Sequence, residues 1–169
     1  MGNQHESITD DLKAFAESQP MFFVATAPLS GDGHVNVSPK GLDSFAILGP
    51  KEVAYLDLGG SGIETHAHVV ENGRITLMFC AFDGEPLILR VYGNAEVLYP
   101  RDAAWSAAIA RFPDVVGSRQ IFNLDIDLKL DFIEWWTRHY ERDTGSCPAD
   151  DHLVWYGSSR NSRPPQVQT

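Results

Sequence analysis

Cysteine is scarce. Cys80 and Cys147 are the only two, too few for a disulfide framework, and Cys80 lies in "ITLMFCAF", where a thiol acts as a small buried hydrophobe. Basic charge is also short. Thirteen Lys and Arg face 23 Asp and Glu, for a net charge of −10, which argues against nucleic acid or an anionic membrane as partner. No apolar run approaches the ~20 residues of a membrane-spanning helix. The opening "MGNQHESITDD" is polar and acidic, so it is no signal peptide. It misses a myristoylation signal because Ser7 falls one place late, behind Glu6. The reading is a cytoplasmic protein with one domain and a sizeable core.

Periodicity and turn residues place the elements. "SITDDLKAFAESQP" predicts a helix with a Ser7–Asp10 capping box, ended by Pro20. "MFFVATAPL" and "VNVS", joined by "SGDGH", predict a hairpin over 21–38. "KEVAYLDL" predicts a third strand. A Gly-rich loop follows, then a short helix from Glu64 to Asn72 closed by Gly73 in the left-handed conformation. "RITLMFCAF" and "LILRVYGNAEVLY" are the fourth and fifth strands, with a bulge at Gly93. "RDAAWSAAIARFP" predicts a helix capped by Asp102, and "RQIFNLDIDL" is the sixth strand. Six strands linked by hairpins and short excursions predict a mainly β protein, a small closed antiparallel barrel with short helices. Residues 1–130 form this domain, 131–157 an extension packing on the barrel or a dimer partner, and 158–169 a polar, disordered tail.

The loop "DLGGSGIETHAHVVENGR" is the first place to look for chemistry. Thr65 stands where a dinucleotide fingerprint needs its third glycine, and no Gly-Lys-Ser/Thr follows for a Walker loop. Ile63 occupies the last glycine of a nucleophile elbow. His66 and His68 diverge by about 200° on a helix, so they make a poor metal pair. Two readings remain open. The loop is a plain turn, or its backbone N–H groups and the Ser61 and Thr65 hydroxyls receive an anion at a helix N-terminus.

The order of "FFVATA", "GHVNVSPKG", "VAYLDLGGSGIETHAHVVENGRITLMFCAF" and "LILRVYGNAEVL" resembles the pyridoxamine 5′-phosphate oxidase-like family over roughly residues 15 to 100. The resemblance implies a six-stranded antiparallel split barrel of the FMN-binding type. It implies a homodimer with FMN in grooves between subunits. By that resemblance Val35, Asn36, Val37, Ser38 and Lys40 lie along the isoalloxazine ring, and Leu56 and Asp57 border it. Ser61, Gly62, Glu64 and Thr65 belong to the phosphate loop, and Arg90 matches an arginine on the next strand. The vitamin B6 oxidases carry an Arg-Lys pair in that loop, where this chain has Gly62-Ile63-Glu64-Thr65. A phosphate would depend on backbone donors, hydroxyls, and Lys40 or Arg90.

By their own sequence context, Lys40 reads as an exposed turn lysine and Asp57 as turn chemistry, and only the resemblance sets cofactor contact beside these readings. Arg90 in an apolar strand faces solvent or meets an anion, either a phosphate or an acidic side chain. Trp135, Trp136, Trp155 and Tyr156 read as core or dimer packing residues, or, for the segment "HLVWYG" with Trp155 and Tyr156, as an aromatic cover for the flavin. The resemblance implies an FMN-dependent oxidoreductase passing hydride through flavin N5, with a small-molecule electron donor or acceptor. No side chain is nominated as catalytic acid or base, and none as a metal ligand, because the chemistry belongs to the flavin. The alternative is a non-enzymatic flavin, deazaflavin or haem binder on the same barrel, with His66, His68 or His139 as axial ligand.

Overall fold

The computed structural model describes residues 4–60, 62–84 and 87–131. The expected extension after residue 131, its aromatic residues, His139, Cys147 and the tail lie outside these residues. The elements are β1 (Gln4–His5), α1 (Asp10–Ser18), β2 (Met21–Thr26), β3 (Asn36–Gly41), β4 (Phe45–Gly49), β5 (Glu52–Leu58), α2 (Glu64–Asn72), β6 (Arg74–Cys80), β7 (Ile88–Leu98), α3 (Trp105–Ile109) and β8 (Ser118–Asp131).

Seven strands form one antiparallel path in the order β3-β2-β6-β7-β8-β5-β4, and the two-residue β1 adds to β8. Two expectations are corrected. The path has seven strands rather than six, and the sheet is not closed, since β3 and β4 are its two edges. The additional strand is β4, "FAILG". A five-residue apolar run without alternation carries no period by which to recognise it.

The split lies between β3 and β4. A tight turn with a Ser44 N–H to Gly41 carbonyl bond of 3.3 Å joins them. Its central residues, Leu42 and Asp43, both have positive φ, 60° and 53°. That is the type I′ pattern, which favours Asn-Gly. Leucine in this region is disfavoured by about 1–2 kcal/mol, and Leu42 is 71% exposed, so no burial offsets the strain. The double change Leu42→Asn and Asp43→Gly is expected to raise stability by about 1–2 kcal/mol. An unchanged denaturant midpoint would show that the turn carries no such strain.

Alternation on β5 divides the interior. Val53 and Tyr55 enter the main core with Phe22, Val24, Leu77, Phe79, Val91, Phe122 and Leu124. Ala54 and Leu56 face a second cluster with Ala108, Phe112 and Ile121 beneath α3. β5 is thus buried on both faces.

Helix α1 lays Leu12 and Ala16 on the core. Its N-cap is Thr9, whose Oγ1 accepts from Leu12 N–H at 3.4 Å, in place of the expected Ser7 box. The Ile8 N–H donates to the Pro50 carbonyl at 2.7 Å, which keeps the chain extended past Ser7. Helix α2 runs from Glu64 to Asn72 and ends on Gly73 at φ 71°, as the sequence predicts. Helix α3 is only five residues long. Asp102 does not cap it; its Oδ2 accepts from Tyr99 N–H at 2.8 Å and closes the preceding turn. The β7–β8 register shifts between Tyr92 and Gly93, where a bulge is expected.

Candidate functional site

Beyond Tyr55 on the same face of β5 stands Asp57, the last charged residue before the Gly-rich loop. Asp57 pairs with Gln120 across to β8. Its carboxylate is the centre of a polar cluster. Lys40 Nζ, on the inward face of β3, donates to Oδ1 at 2.7 Å. Arg119, next to Gln120 on β8, donates to Oδ2 from Nη2 at 2.6 Å and from Nε at 3.1 Å. Gln120 Nε2 adds a bond to Oδ2 at 2.9 Å. The Asp57 side chain is 4% exposed, against 22% for Lys40 and 29% for Arg119. The anion is therefore buried and its cations reach the surface.

Burial pushes the Asp57 carboxyl up. The hydrogen bonds from Lys40 and Arg119, the Lys40 charge and the Gln120 amide outweigh it and hold the group below its ordinary range. The balance leaves one net positive charge on the trio, in a chain of net charge −10.

The cluster reaches the Gly-rich loop twice. Arg119 Nη2 donates to the Gly62 carbonyl at 3.2 Å. Gln120 Oε1 lies 2.8 Å from His66 Nδ1 on α2. Since the Gln120 amide nitrogen serves Asp57, its oxygen faces His66, and the network assigns the proton to His66 Nδ1. The His66 ring meets Tyr99 edge-on at 5.7 Å, and Arg101 stacks on Tyr99 at 4.3 Å. His68 points elsewhere, with Nδ1 3.0 Å from Thr26 Oγ1. The two histidines diverge, as their spacing requires.

Asn36 Nδ2 ties β3 to the start of α2, donating to Thr65 Oγ1 at 2.9 Å and to Ser38 Oγ at 3.1 Å. Glu64 folds its carboxylate over the loop; a Cβ built on Gly62 would stand 2.6 Å from Glu64 Oε2. The Tyr55 hydroxyl is buried and makes no hydrogen bond among the described residues. Burial foremost, then the Asp57 charge, raises its pKa well above the usual phenol value, so it stays neutral. Lys40 Nζ sits 6.0 Å from the Tyr55 ring centre.

The sequence-predicted residues do not all converge. Asn36, Ser38, Lys40, Asp57, Gly62 and Thr65 share this end of the sheet. Val35 and Val37 are exposed. Leu56 faces the second core cluster, because it neighbours Asp57 on a strand. Arg90 lies between the core residues Leu89 and Val91, so it takes the opposite face of β7. There its charge opposes the rise that burial gives the Cys80 pKa. Ser61 is outside the described residues. Arg119 and Gln120 are absent from the sequence-based set. Their signal is a polar pair at the head of an alternating strand, and its meaning depends on pairing with β5. A separate groove of about 410 Å³ includes Thr26, Val35, Thr76, Tyr92 and Asn94 in its lining and shares none of the cluster residues.

Comparisons with known proteins agree with this architecture. A pyridoxamine 5′-phosphate oxidase family protein, ustO of Aspergillus flavus, is 46% identical over 126 residues. That match covers 72% of this chain and 50% of the relative, so the chain spans about half the length of the curated protein it matches. Among solved structures, HupZ of Group A Streptococcus superposes with a TM-score of 0.60 at 20% identity, covering 73% of this chain and 93% of that one. An FMN-binding protein from Syntrophomonas wolfei superposes with a TM-score of 0.55 at 15% identity, covering 72% and 86%. These likenesses show the fold. Residues 8–129 match the family described as pyridoxamine 5′-phosphate oxidase, and with that span the chain belongs to this family.

Proposed function

We propose that this chain is an FMN-binding oxidoreductase acting as a homodimer, with the cofactor at the subunit interface. The observation that carries the reading is the convergence of Lys40 and Arg119 at the end of β5, beside the Gly-rich loop, with one uncompensated positive charge. In an acidic chain, two cations gathered around a buried carboxylate suit an anionic ligand. The donor set fits a flavin phosphate. It offers an ammonium, a guanidinium and the loop's backbone N–H groups, with Asn36 holding Thr65 in place. Exposed Val35, Val37 and Leu42 on and beside edge strand β3 give the apolar surface that a partner subunit or a flavin ring would cover.

FMN supplies hydride transfer through N5 when bound. This chain's residues bind, orient and screen. Lys40 and Arg119 hold negative charge, Asp57 fixes both cations, and Gln120 fixes Asp57. His66 holds Gln120 in the orientation that serves Asp57. No residue in the cluster is placed as acid, base or nucleophile. A small-molecule electron donor or acceptor would be the other partner in the transfer.

The test begins with the visible absorption spectrum of the freshly purified full chain, followed by denaturation and chromatography of any released chromophore. Flavin absorption and released FMN near one per chain are expected. A colourless protein that takes up no added FMN would overturn the reading. Lys40→Ala is expected to weaken FMN binding about 10- to 100-fold, the loss of one hydrogen bond to a charged group.

A further inference from the structure

We propose that Arg119 is the anion-binding base of the Gly-rich loop. It takes in space the part that the loop's own sequence lacks, and Asp57 and Gln120 act as its positioning residues. This rests on the reading that the loop serves a phosphate-bearing ligand, and it names the residue, from another strand, on which that ligand depends.

The loop has no base of its own. Gly62, Ile63 and Thr65 are uncharged, and Glu64 brings a negative charge against Gly62. Lys40 approaches from β3, but its contact is with the far oxygen of Asp57, Oδ1. Of the two cations, Arg119 is the one that bridges carboxylate and loop, through Oδ2 of Asp57 and the carbonyl of Gly62. Nε and Nη2 make these bonds. Nη1 makes none among the described residues, and the side chain is part-exposed beside the loop. A planar guanidinium pinned along one edge presents its remaining donors in a fixed direction, the geometry in which arginine binds phosphate.

Asp57 sets that direction. It is buried, its two oxygens are divided between the two cations, and Gln120 completes Oδ2. The Gln120 amide is in turn oriented by His66. Arg119 is thus pre-positioned before any ligand arrives, which lowers the ordering cost of binding. Glu64 opposes an incoming anion. The two side chains therefore predict changes of opposite sign at one loop.

The test is calorimetric titration of the full chain and of Arg119→Gln, Arg119→Lys and Glu64→Gln with inorganic pyrophosphate, FMN and riboflavin. Pyrophosphate should bind the unaltered chain. Arg119→Gln should weaken pyrophosphate and FMN at least tenfold and leave riboflavin, which lacks the phosphate, unchanged. Arg119→Lys should restore part of the loss, and Glu64→Gln should tighten pyrophosphate several-fold. The proposal is overturned if Arg119→Gln binds pyrophosphate as the unaltered chain does, if riboflavin is lost in step with FMN, or if the unaltered chain binds no pyrophosphate. Should Arg119→Gln fail to fold, Glu64→Gln decides, because Glu64 is exposed; unchanged pyrophosphate affinity there sinks the idea. Pyrophosphate responses of the expected signs without any flavin binding would leave Arg119 in place and remove the FMN reading. Equal FMN binding by Arg119→Gln and the unaltered chain would do the reverse.

Discussion

Gly93→Ala is expected to lower stability by more than about 3 kcal/mol, the range in which a single change is diagnostic. The reason is contact with backbone, which cannot rotate away. A Cβ at position 93 would overlap the Asp125 carbonyl oxygen and would stand 3.0 Å from the Asp125 carbonyl carbon and 3.3 Å from Ile126 Cα. The close approach belongs to the bulge, where β7 shifts register against β8 between Tyr92 and Gly93. Relieving it means parting the two longest strands of the sheet. Gly31→Ala is the control, because nothing lies within 4 Å of its Cβ position. Denaturant unfolding compares the two. A loss below about 1 kcal/mol for Gly93→Ala would contradict the bulge geometry.

Asp57→Ala is the second large effect, with an expected loss of about 2–3 kcal/mol. Removing one member of a buried ion pair typically removes 3–5 kcal/mol. The figure is lowered here because Lys40 and Arg119 reach the surface and regain water when released. The same carboxylate makes stability depend on acid. Its folded-state pKa lies below the unfolded value of about 3.9. A depressed value means that the charged form is favoured by folding. The contribution is therefore complete above about pH 4 and is lost as pH falls through the folded-state value. Asp57→Asn keeps the shape and removes the titration. Unfolding midpoints between pH 7 and pH 2 should fall less steeply for Asp57→Asn than for the unaltered chain. Parallel acid slopes would remove Asp57 from this role.

Much of the fold is legible in local pattern. The β2–β3 hairpin, the β5 run, the Gly73 stop of α2 and the bulge at Gly93 all rest on signals within a few residues. β4 is illegible because an apolar pentapeptide ending at Gly-Pro has no period. α3 is over-read because Asp102, a good cap, serves the Tyr99 turn instead. The site divides along the same line. Lys40 and Asp57 are named as candidates through the order of motifs, but their bond to each other is not legible there. Leu56 and Asp57 are taken as a pair, and strand alternation alone separates them onto two faces. Arg119 and Gln120 become meaningful only when β8 is set in register with β5, which no local pattern fixes.

The sequence distances inside the cluster have a consequence for how the protein is made. Asp57 meets Lys40 across 17 positions, but Arg119 across 62 and Gln120 across 63. A nascent chain that has emerged only as far as α3 holds the loop, the lysine and the carboxylate, and has neither of the β8 donors. Closing the span of 62 positions costs more loop entropy than closing the span of 17. The four-residue cluster around Asp57 is therefore complete only when β8 docks beside β5.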